Sequence, residues 1–92
     1  MIGKESLPAV LGVIKAEPSS AVARENAVAV WMEIFRSSDE QPKGVARLRQ
    51  EEVKTNDDAT QRRLKWAVLK AVTHCNPPEA AACREAARAG AP

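Results

Sequence analysis

Aromatic side chains are scarce in this chain of 92 residues: tyrosine is absent, phenylalanine occurs once and tryptophan twice. There is one histidine, His74, and no G-x-S-x-G or comparable nucleophile setting around any serine, so a hydrolytic triad is not expected. The four glycines stand alone, which excludes a glycine-rich loop cradling a phosphate. The two cysteines lack the short C-x-x-C-type spacing and the fourth ligand of a structural zinc site. The N-terminal third has no uncharged run longer than "SLPAVLGVI", too short to span a bilayer. No basic stretch leads into an apolar segment and cleavage site, so a cytoplasmic location is expected. So short a chain also struggles to enclose a substrate pocket. These gaps together predict a non-enzyme without metal or cofactor.

What the chain has in abundance is alanine, 17 residues of it, against 18 for Leu, Ile, Val and Phe combined. With a high net charge so few large apolar residues would suggest disorder. The net charge is only +2 and the apolar residues are clustered, so residues 1–92 are expected to fold as a single small domain with a thin core. Thin cores are often completed by a second copy or a partner, which leans the expectation toward a homodimer.

Proline and polar clusters cut the chain into five segments, each with helical rather than alternating periodicity. The fold class is therefore all-α, a bundle of four to five short helices. In the first segment Leu7, Val10, Leu11 and Ile14 repeat at i, i+3, i+4, i+7, with Ser6 as cap, Pro8 in the first turn and Pro18 closing the helix at Glu17. The second, about 20–37, is capped by Ser19 or Ser20. It places Ala23, Ala27, Val28, Val30, Trp31, Met32, Ile34 and Phe35 within roughly 200° of arc. A face that wide predicts a central helix, with Trp31, Phe35, Ile34 and Val28 among the most buried side chains. The third carries only Val45, Leu48 and Val53 as large apolar residues and reads as an exposed, charged helix frayed by Gly44. The fourth opens on a capping box of Asp58 and Gln61 and buries Leu64, Ala67, Val68, Ala71, Val72 and Cys75.

The stretch "HCNPPEAAACREAARAGAP" holds His74, Cys75 and Cys83. Asn76 with Glu79 forms a second capping box and Pro77 occupies a first helical position, so the double proline ends one helix and starts another. Gly90 and Pro92 supply the stop. In a reducing compartment Cys75 and Cys83 are expected as small buried thiols rather than a disulfide.

The unusual feature lies on the fourth helix. With Leu64 at the centre of the buried face, Leu69 and Trp66 fall about 140° and 200° away. There they share the opposite side with Arg62, Arg63, Lys70 and, at its edge, Lys65. Tryptophan and arginine dominate binding hot spots. Arg62, Arg63, Lys65, Trp66, Leu69 and Lys70 are thus the candidate partner-binding residues, unless Trp66 and Leu69 are covered by the third helix. Residues 43–70 hold eight Lys or Arg against four Asp or Glu, the only basic segment, which suits an acidic or mixed protein surface or a phosphate backbone.

Two functions follow. The first is a protein-interaction module: an adaptor, regulatory subunit or inhibitor of a larger assembly, with a composition that fits a bacterial or phage genome. The alternative is a helix-turn-helix DNA-binding regulator built from residues 43–75, reading DNA with Thr60, Gln61, Arg62 and Arg63. Against it, Asp57 and Asp58 would face the phosphates, and a net charge of +2 is modest for a nucleic-acid binder.

Overall fold

The computed structural model describes residues 3–16 and 20–89. The helix-ending Glu17 and Pro18, the alternative cap Ser19 and the terminal Gly90 and Pro92 lie outside the described residues. Five α-helices occur among them and no strand: α1 (Leu7–Lys15), α2 (Ala21–Ile34), α3 (Gln41–Lys54), α4 (Asp58–Thr73) and α5 (Ala80–Arg88). Single 3-10 turns, Lys4–Ser6 and Pro77–Glu79, lead into α1 and α5. The molecule is a slab of 36 × 34 × 21 Å. Its thickness is that of about two helices, so every helix keeps one face in water and the core is a single apolar layer.

That layer joins α1 and α2 to α3, α4 and α5. The breadth of the α2 face is used as expected: α2 packs on α1, α3 and α4. Ala27, Val28, Trp31, Met32 and Phe35 are buried, while Ala23, Val30 and Ile34 at the margin of the arc are only half-buried. Ile34 is thus less enclosed than its spacing predicts. α4 supplies the opposing surface, touching all four other helices, with Leu64, Ala67, Val68 and Ala71 against the core. Leu7 and Ile14 of α1 complete it from one side.

α3 departs furthest from its sequence. It packs on α2, α4 and α5 rather than lying exposed. Val45 and Leu48 are fully buried, Val53 faces water and Glu52 is buried. Glu52 is accommodated because Arg49, one turn earlier, sets its guanidinium 2.8 Å from the carboxylate. Gly44 does not fray the helix. A side-chain carbon there would come within 2.9 Å of the Phe35 ring, so glycine permits the close approach of α3 to α2.

The helix ends are closed by particular side chains. Ser20 Oγ accepts from the Ala23 N–H at 3.0 Å. At α4 the cap is Asp57 rather than Asp58: its carboxylate accepts the Thr60 backbone N–H at 2.8 Å and the Thr60 hydroxyl at 2.7 Å. Gln61, freed from the expected capping box, instead donates to the carbonyls of Glu52 and Thr55 at the end of α3. Asn76 and Ser6 make no side-chain cap bond. The Asn76 N–H is held by buried Gln41, whose amide also donates to the Arg36 carbonyl, tying two chain corners together.

The cysteines are joined. Cys75 and Cys83, with Cα atoms 6.8 Å apart, form a disulfide across the double-proline bend. This overturns the expectation of two free thiols. That expectation rested on the compartment, whereas the bend folds α5 back along α4 and brings the two sulfurs together.

Candidate functional site

On α4, Arg62, Lys65, Trp66, Leu69, Lys70 and Thr73 follow one another at i, i+3, i+4, i+7, i+8 and i+11, the spacing of a single helix face. Most of this face is turned outward, although Trp66 also packs against the core cluster. Arg62, Lys65 and Leu69 are exposed, Leu69 at 60 % of its surface; Trp66 and Lys70 are half-buried. The Lys70 ammonium sits 5.8 Å from the centre of the Trp66 ring, within cation–π range. Leu69 stays largely open to solvent, whereas Trp66 is half-buried against the core cluster and lines a shallow cleft with Ala21, Arg24, Arg62 and Arg63.

The two tryptophans differ in their polar ends. Trp31 Nε1 donates to the Gly44 carbonyl at 2.9 Å inside the core. Trp66 Nε1 has no partner among the described residues, and no buried side-chain nitrogen or oxygen among them lacks one, so this N–H is open to water.

Arg63 is set apart from the other candidates. Its Nε donates to the Lys15 carbonyl at 2.8 Å and a terminal nitrogen donates to Thr60 Oγ1 at 3.2 Å. From α2, Arg24 donates to the carbonyls of Ile14 and Ala16. Two arginines therefore close the C-terminal end of α1, where the helix dipole favours positive charge. Arg49 does the same for α5 through the Ala89 carbonyl. Part of the basic character of residues 43–70 is thus structural, a use that residue counts do not reveal.

The cations of α4 make no close ion pair among the described residues. Five ion pairs occur among the described residues, and none involves α4. Its one acidic residue, Asp58, stands at the first turn, far from Leu69. Asp57, just before it, has its pKa lowered by the two Thr60 hydrogen bonds and, to a smaller extent, by Arg63.

The groups proposed to read DNA are largely engaged. Thr60 is held by Asp57 and Arg63, Gln61 by the end of α3, and Arg63 by α1. No group of three or more His, Cys, Asp and Glu side chains among the described residues is arranged to hold a metal. No helix among them is long and apolar enough to cross a membrane. No known family model matches this chain, and neither the curated proteins nor the solved structures contain a significant match.

Proposed function

We propose that this chain is a small non-enzymatic interaction module, an adaptor, regulatory subunit or inhibitor of a larger assembly, that docks a protein on the outer face of α4. The observation that carries this reading is Leu69, a large apolar side chain 60 % exposed between cations that make no ion pair among the described residues. Leu69 leaves most of its surface in water, and a partner surface gives it a role. DNA is the second reading. Weighing against it are Asp57 and Asp58 at the helix entrance and the internal hydrogen bonds of Thr60, Gln61 and Arg63.

A homodimer would have a second surface to use, the apolar groove between α1 and α2 lined by Val10, Val13, Ala23 and Val30. The cytoplasmic location expected from sequence sits against the Cys75–Cys83 bond, since disulfides persist chiefly in oxidising compartments.

The test is affinity capture from nuclease-treated lysate with the wild-type chain and with Leu69→Asp. A discrete protein retained by the first and lost from the second, with both baits folded, supports the reading. Capture unchanged by the substitution places the interaction elsewhere, and capture abolished by nuclease favours DNA.

A further inference from the structure

The docking face has a definite chemical character, and this inference rests on the interaction reading above. We propose that the occupant of the α4 face is an acidic amphipathic helix, one of whose carboxylates enters the cleft bordered by Arg62, Arg63 and Trp66.

The apolar part of the face is too small to hold a partner alone. It consists of Leu69 and part of Trp66, a small area against the freedom that association removes. Charge adds to it, and its sign is set by Arg62, Arg63, Lys65 and Lys70, four cations without a salt-bridge partner among the described residues.

The cleft is prepared for a carboxylate. Arg63 is immobilised through Nε and one terminal nitrogen, yet a guanidinium carries five donors, so others remain for a ligand. A cation already fixed in place loses less freedom on binding than a mobile one. The exposed Arg62 and the half-buried Trp66 line the same cleft. Lys70, over the Trp66 ring, keeps positive charge at the other side of the indole.

Geometry selects a helix over other acidic ligands. From Arg62 to Thr73 the stripe is about 17 Å long at 1.5 Å per residue, matching some three turns of a partner helix. The described residues offer no strand edge on which an extended peptide could pair. A phosphate backbone would leave Leu69 without a partner and would meet Asp57 and Asp58 at the start of α4.

The experiment is a backbone-amide NMR titration of the full chain with an 18-residue helical peptide bearing leucines at i, i+3, i+4 and i+7 and flanking glutamates. Parallel titrations use the same peptide with glutamine or lysine in place of glutamate, and a duplex oligodeoxynucleotide. The expected result is that the acidic peptide shifts amides of residues 62–73 and 21–24, binds at least tenfold tighter than the glutamine peptide at low salt, and weakens as salt is raised. In the Arg62→Glu/Lys65→Glu variant, where both positions are exposed, preference should pass to the lysine peptide. Equal binding of the glutamine and glutamate peptides at α4 overturns the acidic occupant but leaves the docking face standing. Tighter binding of the oligonucleotide at the same amides overturns it in favour of a phosphate ligand. If no probe moves the α4 amides, both the inference and the reading beneath it fail.

Discussion

Trp31 Nε1 donates a buried hydrogen bond to the carbonyl of Gly44 at 2.9 Å, joining α2 to α3 beside the Phe35 ring. Glycine is required there because the Phe35 ring occupies the space a methyl group would need. Gly44→Ala should therefore destabilise the protein, although alanine is the better helix former by about 1 kcal/mol. Overpacking typically costs about 1–3 kcal/mol and outweighs that gain. Trp31→Ala should cost more, about 3–5 kcal/mol, and leave little folded protein. Urea denaturation of the two variants checks both the sign of the first and the order of the two.

The disulfide closes a loop with a sequence separation of 8 and holds α5, whose only fully buried side chain is Cys83. Alkylation of the native and denatured chain without reductant should find no free thiol. Reduction should cost about 2.5 kcal/mol on the chain-entropy account. The loss should concentrate in α5, seen as faster amide exchange over Ala80–Arg88 while α2 and α4 stay protected. Two titratable thiols in the unreduced protein would contradict this.

Arg62 and Arg63 are neighbours in sequence with different duties. Arg63→Ala removes the hydrogen bond to Lys15 at the end of α1 and should cost about 2 kcal/mol, as bonds from charged donors do. Arg62→Ala alters only an exposed side chain and should stay within about 0.5 kcal/mol of wild type. Thermal melts of the pair give the comparison directly.

Asp57 gives the fold an acid-sensitive cap. Its pKa lies below the ordinary 3.8 because the Thr60 hydroxyl and then the Thr60 N–H stabilise the ionised form. A depressed carboxyl contributes stability that is complete above the ordinary value and is lost as pH falls through the folded one. Asp57→Asn keeps an acceptor but cannot titrate. Melting temperature followed against pH should thus fall more steeply for wild type than for Asp57→Asn below 3.8, with wild type the more stable above it.

Much of the architecture was legible because it rests on short-range regularities. The i, i+3, i+4, i+7 spacing of Leu7, Val10, Leu11 and Ile14 located α1, and the wide face around Trp31 located the helix shared by three neighbours. What escaped depends on partners distant in sequence or on compensation. Glu52 reads as a surface residue until Arg49 is seen to neutralise it. Gly44 reads as a weak point until Phe35 is seen against it. Adjacent Asp57 and Asp58 are equivalent caps by composition, and the one-residue choice between them moved Gln61 to another helix. The outward side of α4 was visible from periodicity, but the diversion of Arg63 to α1 was not, since no local signal links residue 63 to Lys15.

The central claim, that the outer face of α4 meets a protein, is tested most directly by site-specific photocrosslinking in cells. A photoreactive amino acid is placed in turn at each exposed large apolar position: Val13, Val22, Val53 and Leu69. The expected result is a discrete protein adduct from position 69 that survives nuclease and disappears with Arg62→Glu/Lys65→Glu. Adducts confined to positions 13, 22 or 53, or a position-69 adduct that nuclease destroys, would contradict it.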